Sequence, residues 1–286
     1  MKILIIGGTG FIGSYVIKEA IKRGHEVVVI KRNENSKFAI NLDKKINFIV
    51  SEFSEISSST LKDYSIDAII NLAAAGVSPK KVSWEELIEI NIKFPLKIAK
   101  IASELGIKRL VVAGTSHEYG DTANKFNRIP PEAPLEPLNP YGSSKAAAYH
   151  ILKSFAIENQ MELFYGRIFC VYGLGQFKNN FWPSLYRAAV SGEDFTMTDG
   201  LQVTDFLRVE DAASYLVEGV TRKDIEKGNP LVVNIGSGVA ISLREFAQSE
   251  WNKYSVNGKL ILGAIPHRGD VMMRCVPSLI NLKRHS

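Results

Sequence analysis

Residues 3–13 read Ile-Leu-Ile-Ile-Gly-Gly-Thr-Gly-Phe-Ile-Gly and decide the fold of the chain. The apolar run at the start predicts a buried strand, and Gly8, Gly10 and Gly13 follow the spacing G-x-G-x-x-G. Glycines at this spacing permit a tight turn, close approach of the backbone to a pyrophosphate, and close packing of a helix on the strand. The N–H groups that begin such a helix attract an anion. The stretch therefore predicts a dinucleotide site.

The elements that follow the glycine turn alternate between helix and strand. Apolar residues at helical spacing predict a helix from residue 11 to residue 23, and Gly24 ends it. Further apolar runs predict strands at residues 26–30, 46–50, 67–72, 109–113, 162–169 and 231–235. This order predicts an α/β fold with a Rossmann-type doubly wound parallel sheet. It also favours a dinucleotide site over an ordinary turn, in which the same glycines can occur.

Two parts of unequal size are predicted. We expect residues 1–168 to form the nucleotide-binding domain, with a late strand from about 231–235 returning to it. Residues 169–286 are expected to form mainly a smaller α/β lobe that binds the substrate. Within the first part, apolar spacing predicts a long helix at residues 84–105 that Pro95 bends.

Composition excludes several classes of protein. Hydrophobic residues make up 45% and charged residues 23% of the chain, which is typical of a folded globular protein. No stretch approaches the length of a membrane span, so we expect a cytoplasmic protein with no membrane partner. The net charge of +5 is too diffuse to indicate nucleic acid, although it suits anionic ligands. Cys170 and Cys275 lack metal-ligand or redox spacing, so we expect buried free thiols and no metal site.

The residues after the second predicted strand indicate which dinucleotide is bound. Lys31 and Arg32 stand where an NAD site usually has a carboxylate that accepts from the ribose 2′-hydroxyl, whereas cations accommodate a 2′-phosphate. We therefore expect NADP(H), and solvated surface cations are the alternative. Small residues from Ala73 to Gly76 follow the fourth strand. They either leave room for a nicotinamide to lie close to the backbone, or they simply pack at the end of the strand.

Tyr141 and Lys145 are the candidate proton-transfer pair. Five prolines between residues 121 and 140 predict a loop, and a helix predicted at residues 143–158 lets this pair share one face. A phenol with its ordinary pKa of about 10 exchanges protons poorly at neutral pH, so a neighbouring cation is needed, and Lys145 can supply it. Beside a nicotinamide, Tyr141 becomes a general acid or base at a carbon that carries a hydroxyl or carbonyl group. Thr115, at the end of the fifth strand, can hydrogen-bond the same oxygen.

Motifs along nearly the whole chain resemble those of one family. They are Gly7 to Gly13, Thr115 to Gly120, Tyr141 to Lys145, Arg167 to Gly173, Asp205-Phe206, and Asn234 to Gly238. In these motifs the chain resembles the extended short-chain dehydrogenase/reductases, the group of nucleotide-sugar epimerases, dehydratases and reductases. The resemblance implies a nicotinamide cofactor, a nucleotide-diphosphate sugar as substrate, and a homodimer joined through a four-helix bundle. It also implies that Thr115, Tyr141 and Lys145 form the catalytic triad.

Departures from the family pattern indicate the reaction. Epimerases and dehydratases of this group normally retain NAD and carry an acidic residue where this chain has Lys31, whereas net reductases use NADPH. The dehydratases place an Asp-Glu pair directly after the catalytic Thr, because elimination of water needs its own acid and base, but this chain has Ser116-His117. We therefore expect NADPH-dependent reduction of the 4-keto group of an NDP-4-keto-6-deoxyhexose, in deoxysugar biosynthesis. The alternatives are an NAD-retaining epimerase and a non-catalytic NADP-binding regulator.

A wider set of residues completes the expected site. Besides Tyr141 and Lys145, we expect the cofactor to contact Gly7, Gly10, Phe11, Ile12, Gly13, Lys31, Arg32, Glu52, Phe53, Ala73, Ala74 and Asn91. Substrate contacts are expected from Ser116, His117, Asn180, Arg208 and Arg268. His117 either protonates the substrate or is a hydrogen-bonded loop histidine. Thr204 stands where the family commonly has a phosphate-binding Arg, so either Arg208 or Arg268 is expected to bind the phosphate instead.

Overall fold

The computed structural model describes residues 1–42, 46–77, 81–254, 257–267 and 272–282. In chain order its strands are β1 (Lys2–Ile6), β2 (Glu26–Lys31), β3 (Asn47–Val50), β4 (Ala68–Asn71), β5 (Arg109–Thr115), β6 (Glu162–Ile168), β7 (Cys170–Tyr172), β8 (Phe195–Thr196), β9 (Val203–Thr204), β10 (Phe206–Arg208), β11 (Leu231–Ile235), β12 (Ile241–Ser242), β13 (Leu260–Ile261) and β14 (Arg274–Cys275). Its α-helices are α1 (Phe11–Lys22), α2 (Ser58–Leu61), α3 (Trp84–Leu87), α4 (Phe94–Glu104), α5 (Pro140–Glu158), α6 (Phe181–Ser191), α7 (Val209–Thr221) and α8 (Leu243–Trp251). Short 3₁₀ turns lie at Lys62–Tyr64, Ser116–Glu118 and Asp121–Lys125, and a π-helical turn lies at Ile88–Lys93. Among these residues, no helix combines the length and apolar character needed to cross a membrane.

Seven strands of the described residues form one parallel sheet in the order β11-β6-β5-β4-β1-β2-β3. In this register, Ile5 of β1 lies between Val29 of β2 and Ile70 of β4. The direction in which successive strands are added reverses between β1 and β4, and such a switch point opens a crevice at the carboxyl ends of the strands. The glycine turn lies at this crevice because it directly follows β1. The predicted Rossmann-type α/β fold is confirmed.

Helices cover both faces of the large sheet. Side chains alternate between the faces along a strand, so Ile3 and Ile5 of β1 pack in one core with α1 and α7. Leu4 and Ile6 pack in another core with α4 and α5. All four side chains are fully buried, and truncating such a residue to Ala costs about 2–5 kcal/mol. The strand that leads into the glycine turn is therefore held firmly from both sides.

A long helical segment on the second face changes its winding in the middle. α3 passes through the π-helical turn into α4, and Pro95 is the second residue of α4. Proline has no N–H to donate to the preceding turn, and π turns occur frequently at functional sites. The structure confirms the predicted long helix and its irregularity near Pro95. The wide turn contains Asn91, whose side chain is fully buried.

The C-terminal elements pack partly on the large sheet and partly on one another. α7 packs on α1 and buries Val209 and Leu216 in the core of the sheet. α6 and α8 share a separate core that includes Leu185 and Trp251. β11 returns to the large sheet beside β6, as predicted. The division of the chain at residue 168 stays a prediction.

Candidate active site

The turn between β1 and α1 is packed so closely that Gly7 and Gly13 cannot carry side chains. Gly7 adopts a φ of +78°, and a Cβ atom on it would lie 2.8 Å from the carbonyl carbon of Leu72. A Cβ atom on Gly13 would lie 2.1 Å from the carbonyl oxygen of Gly7, so a side chain is excluded there as well. The N–H groups of Phe11 and Ile12, in the first turn of α1, have no acceptor within the helix. The turn therefore presents backbone N–H donors that suit the phosphates of a dinucleotide.

The residues after β2 and β3 lie where the adenosine half of a dinucleotide is expected. Lys31, the last residue of β2, is buried, and its Nζ atom lies 4.4 Å from the ring centre of Phe48. Lys31 is thus held by an aromatic face rather than by bulk solvent. Arg32 and Glu52 are exposed, whereas the half-buried ring of Phe53 stacks on the first residue of α4 at 4.2 Å. Their contacts with a cofactor stay predictions.

Small residues follow β4, as predicted, and a buried amide ties them to the catalytic helix. Ala73 is buried and Ala74 is exposed. The Oδ1 atom of Asn91 accepts from the N–H of Ala75 at 2.8 Å. The Nδ2 atom of Asn91 donates to the carbonyl oxygen of Ala75 at 3.0 Å and to the hydroxyl of Ser144 at 2.9 Å. The π-helical turn, the loop after β4 and α5 are thereby joined at one point.

The predicted catalytic residues lie at the carboxyl end of β5 and at the start of α5. Thr115 is the last residue of β5, and its side chain lies near the phenol of Tyr141. Asn139 caps α5, since its Oδ1 atom accepts from the N–H of Gly142 at 2.8 Å. This cap fixes the helical turn that carries Tyr141. Lys145 follows one turn later on α5 and is 3% exposed.

Burial controls the acidity of these residues. Burial raises the pKa of Tyr141 to about 12; the nearby Thr115 hydroxyl lowers this pKa, and the nearby Glu118 carboxylate raises it. Burial also lowers the pKa of Lys145, against a raising effect of Glu118. The sequence predicted that Lys145 would lower the pKa of Tyr141. The pKa is raised instead, because burial disfavours the phenolate more than its neighbours favour it. Tyr141 holds its proton at neutral pH.

Sequence reasoning missed a buried ion pair next to Thr115. Glu118 and Arg167 are 0% and 1% exposed, and the Nε atom of Arg167 donates to the Oε2 atom of Glu118 at 2.6 Å. Arg167 lies in the otherwise apolar strand β6, and a fully buried charge of this kind is rare without a partner. An arginine within an apolar strand was therefore a signal in the sequence that a buried acidic partner exists. The partner is 49 residues away, so local spacing could not identify it.

Ser116 and His117, which follow Thr115, differ in exposure. Ser116 is buried, and its side chain lies near the Cys275 thiol, whose pKa it lowers against the larger raising effect of burial. His117 is exposed, with its Nδ1 atom 3.3 Å from the Nδ2 atom of Asn139. Its ring centre lies 5.9 Å from that of Tyr141. His117 is therefore a hydrogen-bonded loop histidine beside the candidate proton donor.

The remaining predicted substrate residues lie on C-terminal elements. Asn180 directly precedes α6 and is half-buried. Arg208 ends β10, is exposed, and its Nε atom lies 3.5 Å from the Oε2 atom of Glu210 on α7. Arg268 lies outside the described residues. Contacts of these residues with a substrate stay predictions.

The two cysteines differ in exposure. Cys275 is buried, as predicted, whereas Cys170 is exposed, so the prediction was wrong for Cys170. Side chains alternate along a strand, and on β7 the buried position belongs to Val171. Within the described part of the chain, no group of three or more His, Cys, Asp or Glu side chains could hold a metal ion.

Comparisons with known proteins agree with this geometry. Residues 3–236 match the model of the NAD dependent epimerase/dehydratase family. A UDP-glucose 4-epimerase from Lactobacillus helveticus is 26% identical over 94% of this chain and 86% of its own length. A dTDP-6-deoxy-L-talose 4-dehydrogenase (NAD(+)) from Aggregatibacter actinomycetemcomitans is 27% identical over 85% of this chain and 87% of its own.

A solved structure is also similar over nearly the whole chain. MoeE5 in complex with UDP-glucuronic acid and NAD superposes with a TM-score of 0.84 and 26% identity, covering 99% of this chain and 91% of the other. The family model spans strands β1 to β11, which include the glycine turn and the Thr115, Tyr141 and Lys145 positions. The chain therefore belongs to the NAD dependent epimerase/dehydratase family, within the extended short-chain dehydrogenase/reductases.

Proposed function

We propose that this chain transfers a hydride between a nicotinamide dinucleotide and C4 of a nucleotide-diphosphate sugar. The placement of Thr115 at the end of β5 and of Tyr141 and Lys145 in the first turns of α5, at the sheet edge that also carries the glycine turn, is the observation that carries the proposal. C4 is the carbon named for both curated relatives, one a 4-epimerase and the other a 4-dehydrogenase. Sugar carbon and phenol would meet above the carboxyl end of β5.

The net reaction that we propose is NADPH-dependent reduction of the 4-keto group of an NDP-4-keto-6-deoxyhexose. The 4-dehydrogenase relative is named for a 6-deoxyhexose, and ketone reduction is the reverse of such a dehydrogenation. The reducing direction needs a proton donor at the carbonyl oxygen. Tyr141 meets this need, because burial keeps its pKa far above neutral pH.

The chain's own residues supply the proton and the orientation. When bound, NADPH supplies the hydride that forms the new C4–H bond. Tyr141 donates its phenolic proton to O4, and the O4–H bond forms as the phenol O–H bond breaks. The hydroxyl of Thr115 donates to the same oxygen and orients the carbonyl group. The ammonium group of Lys145 stabilises the phenolate that proton transfer leaves behind.

We propose NADP(H) as the cofactor, with Arg32 as the side chain that meets the 2′-phosphate. Arg32 is exposed at the end of β2, and a guanidinium group can donate two parallel hydrogen bonds to a phosphate. Lys31 contributes positive charge behind it, from a fixed position over Phe48. The 4-dehydrogenase relative is named for NAD(+), so this preference would set the chain apart from it.

An NAD-retaining 4-epimerase is the second candidate. The similarity to a UDP-glucose 4-epimerase over 94% of the chain favours it. An epimerase first oxidises C4, so Tyr141 would begin as the base. Lys31 and Arg32, which stand where an NAD site usually has a carboxylate, rank the epimerase below the reductase.

The proposed substrate contacts and a homodimer complete the model of the working enzyme. Ser116, His117 and Asn180 are proposed to contact the sugar nucleotide. The homodimer is proposed to form through the helical segment at residues 84–104 and α5. Its support is the exposure of large apolar side chains on these helices, namely Trp84, Ile88, Ile151 and Ile157.

Purified protein assayed with both kinds of substrate tests these candidates. NADPH and then NADH are offered with the dTDP-, GDP- and CDP-linked 4-keto-6-deoxyhexoses, and absorbance at the reduced-nicotinamide band is followed. The reductase proposal expects oxidation of NADPH by at least one of these sugars. In parallel, the protein as isolated is incubated with UDP-glucose and the product sugar is identified. Tightly held NAD and sugar inversion without net redox change would instead establish the epimerase, and NADPH left unoxidised by all the keto sugars would overturn the reductase.

A further inference from the structure

Glu118 connects the catalytic strand to a buried cation. Its Oε1 atom accepts from the backbone N–H of Thr115 at 2.9 Å and from the hydroxyl of Tyr165 at 2.9 Å. Its Oε2 atom accepts from the Nε atom of Arg167 at 2.6 Å. A Cβ atom on Gly114 would lie 2.7 Å from Oε1, so the carboxylate occupies space that a larger residue in β5 would fill. Both carboxylate oxygens are therefore engaged, and one of them fixes the backbone of the catalytic threonine.

Arg167 is itself held in place from several directions. Its Nη1 atom donates to the hydroxyl of Tyr119 at 3.2 Å and to the carbonyl oxygen of Pro131 at 2.7 Å. Its guanidinium carbon lies 4.4 Å from the ring centre of Tyr149 on α5. Tyr119 in turn donates to the Oδ1 atom of Asn234 on β11 at 2.6 Å. The position of Glu118 is thus determined by a network that reaches the edge of the sheet.

The negative charge of Glu118 also acts on the catalytic side chains. It raises the pKa of Lys145, against the larger lowering effect of burial. It also raises the pKa of Tyr141, in the same direction as the larger effect of burial. Other titratable side chains also face these residues. His117 has its ring centre 5.9 Å from that of Tyr141, the Tyr165 hydroxyl lies 3.2 Å from the carbonyl oxygen of Lys145, and Tyr119 is coupled to both Glu118 and Arg167.

A structural role alone gives a weak reason for such a pair. Desolvation of two buried charges offsets much of their attraction, and apolar residues of similar volume often replace a buried ion pair without loss of stability. The contacts of Glu118 point instead to the catalytic residues. We propose that Glu118, held by Arg167, is a positioning residue of the reaction, which fixes Thr115 and places a buried negative charge beside Tyr141 and Lys145. This inference rests on the proposed role of Tyr141 as proton donor.

The double variant E118Q/R167M removes both charges at once. Glutamine can still accept from the N–H of Thr115, and no uncompensated buried charge remains, so the variant is expected to fold. Loss of the Glu118 charge lowers the pKa of both Tyr141 and Lys145, because that charge raises both. Reduction requires the protonated phenol, so the alkaline limb of the kcat/KM profile is expected to move to lower pH by about one unit.

The Arg109–Glu162 pair provides a matched control. It joins β5 to β6 at the opposite end of these strands from Glu118 and Arg167, with Nη2 and Oε2 2.9 Å apart. E162Q is expected to change the unfolding temperature and to leave the pH profile of kcat/KM unchanged. An alkaline limb that stays in place in a folded E118Q/R167M variant, or that moves equally in E162Q, would overturn the proposal.

A second readout separates this inference from the proposed function. The phenolate absorbance of Tyr141 is titrated as the difference between each protein and its counterpart that also carries Y141F, with oxidised dinucleotide bound. The midpoint is expected about one pH unit lower in E118Q/R167M than in the wild type. Inactivity of the wild type toward all keto sugars would defeat the proposed reaction but leave this titration interpretable. Equal midpoints would defeat the role of Glu118 whatever the substrate.

Discussion

Arg32 and Lys31 illustrate how two adjacent cations differ once the chain is folded. Lys31 is buried, with its Nζ atom over Phe48 at 4.4 Å and over Phe38 at 5.3 Å, and it donates to the carbonyl oxygen of Glu34 at 3.4 Å. Arg32 is exposed beside it. A buried lysine cannot reorient toward a ligand without leaving its aromatic neighbours. The proposed recognition of a 2′-phosphate would therefore fall mainly to Arg32.

Replacing Arg32 by Ala tests this division of roles. The KM for NADPH is expected to rise about 10- to 100-fold, because charge-assisted hydrogen bonds to the phosphate are lost, while the KM for NADH changes little. Steady-state kinetics with both cofactors measures the effect. K108A is the control, because Lys108 is an exposed cation directly before β5, at the edge of the sheet opposite to the glycine turn. An unchanged KM for NADPH in R32A would contradict the proposed cofactor preference.

Among the elements, the π-helical turn at Ile88–Lys93 has the clearest functional consequence. It buries Asn91, whose side chain binds both the N–H and the carbonyl oxygen of Ala75 and the hydroxyl of Ser144. Ser144 also donates to the carbonyl oxygen of Tyr141 at 2.8 Å. The loop after β4 and the first turns of α5 are thus fixed relative to each other through one side chain.

Asn91→Ala is expected to loosen this junction. It leaves buried backbone groups of Ala75 without their partner, at a cost of about 1–3 kcal/mol in the free energy of unfolding. We expect kcat to fall about tenfold, because the loop and Tyr141 lose their common support. Chemical denaturation and steady-state kinetics measure the two effects. The surface variant N229A, which loses a contact with Glu226, should change neither, and wild-type kinetics in N91A would contradict the role of the junction.

Elements formed by local apolar patterns were predictable, and contacts between distant residues were not. The runs at residues 3–6 and 26–30 predicted two strands, because hydrophobic burial acts on short stretches of sequence. The pairing of Glu118 with Arg167 depends on how β5 and β6 are placed, and the sequence contains no spacing rule for it. The exposure of Cys170 depended likewise on which face of β7 the fold covers.

At the scale of the whole molecule, the order of strands brings residues far apart in sequence to one edge. The glycine turn follows β1, Thr115 ends β5, and Tyr141 begins α5. The parallel arrangement puts the ends of β1, β4 and β5 on the same side of the sheet. The helical segment that contains Asn91 and the helix α5 that carries Tyr141 lie on the same face of the large sheet. Apolar side chains exposed on these helices support the proposed homodimer.

Trp84→Glu tests the proposed dimer. Trp84 is 55% exposed, and burying its charged replacement against a second copy would be costly. Analytical ultracentrifugation is expected to show a dimer for the wild type and a monomer for W84E. Val190 is 56% exposed on α6, away from these helices, so V190E should remain a dimer. A monomeric wild type, or a dimer that W84E leaves intact, would contradict this interface.

The role of Tyr141 as proton donor in ketone reduction is tested most directly by Y141F. NADPH oxidation is measured with the keto sugar nucleotide that the wild type accepts, and NADPH binding is measured separately by fluorescence titration. Loss of the phenolic proton donor is expected to lower kcat by about 10²–10⁴-fold, while the dissociation constant for NADPH stays nearly unchanged. A fully active Y141F, with wild-type kcat, would contradict the central claim.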